Sequence, residues 1–322
     1  MKRQLHTNQH YIPQCYFRNF SPNNKSIYVY DKNSSRSFSD AIDNRCCKDN
    51  YYSLLAKNVA TNKTKREKEL IIEKDFFADD IEPKFDTLLK RIISNKDEWI
   101  QDKITSAISD EEKQEFSQLI AIQFLRLPNK RDELISHFEG DSMNDIIKIF
   151  QMGLSIETGN KDIENLKIMP KVESHSQLHA ERLFCNQEII EEFTSTLYNK
   201  YWEFFVSTDN DILTSDNPIV IKAHKKSVRP LCYGLGAEST EISFPLSKNI
   251  VLVIWDKNYF PLKDITDCQF SIIDDKKKRE YNLLRYGCAV KEIFGFNNEF
   301  SIAGYIKTIN NGNELYYNYL VC

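Results

Sequence analysis

Eleven consecutive residues near the start of the chain gather an imidazole, a rigid proline, a guanidinium and alternating aromatics: His10-Tyr11-Ile12-Pro13-Gln14-Cys15-Tyr16-Phe17-Arg18-Asn19-Phe20. A histidine near its reference pKa gives or takes a proton at neutral pH, and an arginine offers a planar fork to phosphate or carboxylate. The plainer alternative is that His10 and Arg18 tie a strand start to a neighbouring carboxylate. Further along, Gln123 and Arg126 are three residues apart, so on a helix they share a face. That face borders an apolar stripe, so Arg126 is expected to be partly buried and to need an anionic partner, with Glu82 and Asp216 the natural candidates. Thr214-Ser215-Asp216-Asn217-Pro218 lies between two strand-like runs. There Asp216 reads either as a general base, metal ligand or anchor for His10, or as an ordinary turn residue.

Other chemistries have weaker signatures. His175 and His179 have the i, i+4 spacing of a helical metal pair, but no H-E-x-x-H and no second cluster accompany them. Ser215 lacks the glycines of a nucleophile elbow, and neither a Walker loop nor G-x-G-x-x-G occurs. The run Asp274-Asp275-Lys276-Lys277-Lys278-Arg279 reads as a solvated helix start that could also touch a phosphate backbone. The identity of any metal or cofactor stays open.

These residues must be held by the elements around them. At 322 residues, 28% charged and 41% hydrophobic, with 20 Phe and 16 Tyr but only 9 Gly, the chain has a globular composition with few glycines for phosphate turns. A net charge of -4 gives no global cationic field for nucleic acid. Apolar runs are too short to span a bilayer and the first residues carry no secretory pattern, so no membrane partner and a cytoplasmic location with free thiols are expected.

Periodicity divides the chain into three zones: strand-like segments over 1–60, helices over 66–200 and strands over 201–322. In the first, Ile27-Tyr28-Val29-Tyr30 and Tyr51-Tyr52-Ser53-Leu54 read as strands, with a loop at 57–66. In the second, Ile81, Phe85, Leu88, Leu89, Ile92 and Ile93 recur at helical spacing, and Ser109 to Glu112 opens a further helix that Pro128 ends. Three more helices are expected at 132–138, 143–152 and 186–198. In the third, five strand-sized runs precede a helix over 277–294 and a last strand over 314–321. The pattern predicts one α+β domain, in which strands from the N- and C-terminal zones form a mixed or antiparallel sheet with the helical middle packed against it.

The opening H-Y-I-P-Q-x-Y-F-R-N-F, followed by I-Y-V-Y-D, resembles an uncharacterised prokaryotic family catalogued as domain of unknown function 4238. Gln123-Phe124-Leu125-Arg126, Thr214-Ser215-Asp216-Asn217-Pro218, Phe244-Pro245-Leu246 and Glu82 within Ile81-Glu82-Pro83 also fit its pattern. Phe17 departs from it, since the family more often has Leu there. The resemblance implies that His10, Gln14, Arg18, Glu82, Gln123, Arg126, Ser215, Asp216 and Asn217 either converge on one site or form one structural network. Two functions follow as expectations. One is a phosphodiester hydrolase, RNase-like, in a stress or phage-defence setting: His10, Asp216 and Arg126 catalyse, and Gln14, Arg18, Glu82, Gln123, Ser215 and Asn217 bind RNA or a nucleotide. The other is a non-enzymatic sensor that binds a small ligand or a protein partner.

Overall fold

The computed structural model describes residues 8–168, 172–224, 234–260, 266–300 and 320–321. The N-terminal zone holds β1 (Asn8–His10), α1 (Gln14–Arg18), β2 (Ser26–Asp31), β3 (Arg36–Ala41) and β4 (Cys47–Asp49). Two expectations change here. Helix α1 occupies part of the run read as strand-like, because Pro13 sets φ -59 at the N-cap and starts a turn that Phe17 and Phe20 anchor in the core. Tyr51 to Leu54 lies outside any strand. The rings of Tyr51 and Tyr52 are held by Arg131, His179 and Phe184 rather than by a ladder. The 57–66 loop is also shorter than expected, being bounded by a 3-10 turn (Ala56–Asn58) and α2 (Lys65–Glu69).

The middle zone is helical as expected: α3 (Glu82–Ile100), α4 (Asp110–Leu125), α5 (Pro128–Glu139), α6 (Asp141–Thr158), α7 (His175–His179) and α8 (Gln187–Tyr198). The capping box forms: Ser109 Oγ accepts from the Glu112 amide, and the Glu112 carboxylate accepts from the Ser109 amide at 2.9 Å. Pro128 stands at the first position of α5, where its missing N–H costs nothing. Two segments are π-helical, Ile72–Ile81 before α3 and Ala180–Phe184 after α7. Pro83 follows the first. A proline cannot donate to the carbonyl four residues back and its ring crowds that carbonyl, so a widened turn just before it relieves both.

The third zone supplies β5 (Tyr201–Val206), β6 (Thr214–Ser215), β7 (Val220–Ala223), β8 (Thr240–Ser247), β9 (Ile250–Trp255), β10 (Gln269–Ile272), α9 (Asp275–Cys288), β11 (Glu292–Gly295) and β12 (Leu320–Val321). Helix α9 stops earlier than expected. Ile293 and Phe294 instead pair with β2 on one side and β6 on the other. Of the strand expected at 314–321, only the last two residues fall among those described. Among the described residues the sheets are an antiparallel pair, β1-β4, a six-stranded mixed one, β10-β5-β9-β8-β7-β12, and an antiparallel one, β3-β2-β11-β6, in which N- and C-terminal strands do join. The fold is therefore α+β.

One hydrophobic cluster runs through all three zones, from Phe17 and Phe20 through Leu89, Phe116 and Ile120 to Trp202 and Leu252. Within it Arg285 is fully buried and donates to the carbonyls of Pro218 and Ser243 and, at 2.7 Å, to Ser243 Oγ. Burial pulls its pKa down to about 10. Sequence reading passed over this arginine, which ties α9 to β8 and to the turn before β7. Cys15, Cys46, Cys47, Cys185 and Cys268 are free thiols. Cys288 is disulfide-bonded, a departure from the expectation of thiols throughout. Among the described residues no helix is long and apolar enough to cross a membrane.

Candidate functional site

Strand β1 delivers His10 to the mouth of a cleft, and Pro13 turns the chain into α1 so that Gln14 and Arg18, four apart, stand on one face beside it. The opposite wall comes from the π-helical segment and the first turns of α3. Together they enclose about 450 Å³ lined by His10, Gln14, Cys15, Arg18, Glu73, Glu82 and Asp86, with Ala78 and Pro83. The cleft joins residues up to 76 positions apart in sequence, and most of its walls are polar.

His10 is half-buried. Its Nε2 lies 3.2 Å from the Asp43 carbonyl and 3.4 Å from the Gln14 amide nitrogen. With the shorter contact made, Nε2 carries the proton and Nδ1 the lone pair. Burial lowers the imidazole pKa below its ordinary value, outweighing the Asp43 carbonyl and the Glu82 charge. The ring is therefore mostly neutral at pH 7. Glu73 shifts the opposite way: burial raises its pKa to about 7, against the pull of Arg126 and a hydrogen bond from the His10 backbone. Its Oε2 is buried and has no hydrogen-bond partner. A neutral base and a half-protonated carboxyl thus share one cleft. Cys15 is less useful, since burial pushes its thiol up to about 12 and leaves almost no thiolate.

Arg126 closes the floor. It is 1% exposed at the C-cap of α4, and its Nη2 donates to the His10 carbonyl and, at 3.3 Å, to Glu82. The guanidinium lies 3.9 Å from the Phe77 ring centroid and also faces Tyr52. Of the two partners foreseen for it, the structure selects Glu82. Gln123, one turn earlier, donates to the Tyr11 carbonyl at 3.1 Å. Both side chains grip the backbone around His10 and fix where the imidazole stands.

The Thr214–Pro218 run does different work. The Asp216 carboxylate accepts the backbone amides of Val290, Lys291 and Glu292 at 2.6–3.0 Å, which fixes the start of β11. Ser215 Oγ donates to the Asn217 carbonyl, and the Asn217 amide side chain donates to the Cys288 carbonyl at 3.2 Å. None of the three lines the cleft. The structure therefore brings His10, Gln14, Arg18, Glu82, Gln123 and Arg126 together, and gives Ser215, Asp216 and Asn217 other partners.

His175 and His179 do not pair. His175 meets Glu139 at 3.1 Å, while His179 is sealed in the core between Arg131 and the Leu125 carbonyl. Among the described residues no group of three or more His, Cys, Asp or Glu side chains is arranged to hold a metal ion.

The model of the family described as Protein of unknown function (DUF4238) matches residues 8–299. The chain belongs to this family. Neither a curated protein nor a solved structure matches it. The matched span of DUF4238 includes every residue that lines the cleft and the arginine beneath it. Glu73 was missed in the sequence because no spacing rule points to it. The available signal was an acidic residue at the head of Ile72-Glu73-Lys74-Asp75-Phe76-Phe77, where an apolar setting raises a carboxyl pKa.

Proposed function

We propose that the cleft is an acid–base catalytic site that hydrolyses a phosphodiester in a nucleotide-sized ligand. The observation that carries this reading is the opposed titration of His10 and Glu73 within one polar cleft. Two groups whose environments drive their pKa values toward each other's range can serve as base and acid at neutral pH. His10 would take the proton of the attacking hydroxyl or water, and Glu73 in its protonated form would donate to the leaving oxygen. Arg18, exposed at the mouth, would hold the phosphate. Arg126 serves by positioning, since it is 1% exposed and its Nη2 is engaged with the His10 carbonyl and Glu82.

Charge narrows the substrate. Glu73, Glu82 and Asp86 surround a single solvent-facing guanidinium, which suits one phosphate and repels a long polyanion. Within the basic run on α9, Lys278 is engaged by the chain itself, pairing with Asp209, Asp211 and Asp275. This favours a small phosphodiester over extended RNA.

The test is a screen of cyclic and dinucleotide phosphodiesters, with and without EDTA, on wild type, His10→Ala and Glu73→Gln. Turnover that survives EDTA, is lost in both variants and follows a bell-shaped pH profile is the expected result. Binding of a nucleotide without turnover would instead support a ligand-sensing role. Turnover abolished by EDTA and restored by magnesium or manganese would overturn the assignment of His10 and Glu73 as the base and acid.

A further inference from the structure

Helix α6 buries two polar side chains against the protein and turns five large apolar ones to water. Gln151 and Ser155 are each only 4% exposed, and the Gln151 amide donates to the carbonyls of Ile163 and Leu166 at 2.8 Å. On the outer side Ile146, Ile149, Phe150, Met152 and Ile156 are 55–81% exposed. These positions, spaced three and four apart with Gly153 among them, form a continuous stripe along the helix. Space around Gly153 is open, so a second backbone can approach closely there.

A monomer gains nothing by turning five large apolar side chains to solvent, and such contiguous patches mark interaction surfaces. We infer that the outward face of α6 is a self-association surface, on which the same helix of a second copy packs antiparallel about Gly153. Two observations favour a second copy over a membrane. The stripe offers several hundred Å² of apolar surface, of the same order as the roughly 800 Å² per partner in a standard stable interface. Its rim carries both signs, with Asp145, Lys148, Glu157 and Lys161 exposed. That rim lacks the cationic collar an anionic bilayer requires, and two identical mixed rims do not repel each other. A helix face that repeats under a two-fold axis closes on itself and leaves no further patch to propagate.

Sedimentation velocity on the full chain, from low- to high-micromolar concentration, tests the inference. Wild type is expected as a dimer, and the double variant Ile149→Asp/Phe150→Asp as a monomer with an unchanged circular-dichroism spectrum. If that variant misfolds, Ile156→Lys, at the most exposed position, still reads the interface and is expected to weaken dimerisation by at least about tenfold. A wild type that stays monomeric at the highest concentration overturns the inference, as does a dimer indifferent to these substitutions. A monomer that floats with phosphatidylcholine vesicles overturns it in favour of lipid.

Discussion

Two histidines in this molecule sit beside π-helical turns and arginines, and they end in opposite states. His10 faces the 72–81 segment at the edge of an open cleft, where Glu73 keeps one carboxyl oxygen unpartnered. His179 precedes the 180–184 segment and is fully enclosed. Arg131 Nε donates to its Nδ1 at 3.0 Å, its Nε2 donates to the Leu125 carbonyl at 2.8 Å, and the Tyr52 and Phe184 rings pack on it. Burial and the neighbouring Arg131 press its pKa down to about 3. Every bonding valence of His179 is used, so it has nothing left for a ligand. A perturbed pKa alone does not separate function from structure. Open polar capacity in a cleft does.

The largest effect that can break this comparison is expected at Arg126, which serves both regions. Its replacement by Ala leaves the His10 carbonyl and Glu82 without their cation and empties the space over Phe77. The expected loss is about 3–5 kcal/mol in urea unfolding, from the cavity left by a fully buried side chain and the acceptors that lose their donor. A loss under about 1 kcal/mol would show that the floor of the cleft is not load-sharing with the core. Next in size, His179→Ala should cost about 2–4 kcal/mol, through a cavity and an Arg131 Nε left without its acceptor. His10→Ala should cost about 1 kcal/mol or less while removing any turnover. Equal losses at the two histidines would erase the distinction drawn here.

Much of this arrangement was legible beforehand, for physical reasons that differ by region. The α4 boundaries could be read because a capping box and a following proline are local chemistry. Arg126 could be placed in contact with a carboxylate because its helix face is apolar on both sides. The choice of Glu82 over Asp216 was not legible, since it depends on how the strand zones fold back on α3. Asp216 instead answers three amides over 290–292, at the start of β11, a segment that reads as helix by periodicity until its pairing with β2 and β6 is known. The π-helical turns left only Pro83 as a trace, because an i→i+5 bond pattern has no side-chain period of its own. Glu73 depends on that turn for its position, and was invisible with it.

Proton linkage sharpens the comparison further. His179 is neutral when folded, with a pKa lowered from 6.5 to about 3, so the unfolded chain binds the proton more readily. Its contribution is full above about pH 6.5 and is lost as pH falls toward 3. Between pH 7.5 and pH 5 the loss should be about 2 kcal/mol. It should vanish in His179→Phe and remain in the difference between wild type and that variant. A wild-type-minus-variant curve with no slope in that window would mean that His179 is not held neutral.

Glu73 should give the smallest effect and the opposite sign. Its pKa rises from 4.5 to about 7 on folding, so the folded state keeps a proton that the unfolded chain gives up. Its favourable contribution is complete below pH 4.5 and is lost as pH rises through 7. Within about pH 4.5–6.5 it therefore runs against His179, and the two partly cancel. Glu73→Gln keeps the shape but removes the charge. Allowing for its partial exposure, that variant should be more stable than wild type by about 1 kcal/mol at pH 8, with no gain at pH 4. A gain in stability that coincides with lost turnover is what a catalytic carboxyl held against its solvation preference would produce. A variant that is less stable at pH 8 would instead mark Glu73 as a structural partner like His179. The cleft carboxyl with the unpartnered oxygen would then be part of the scaffold.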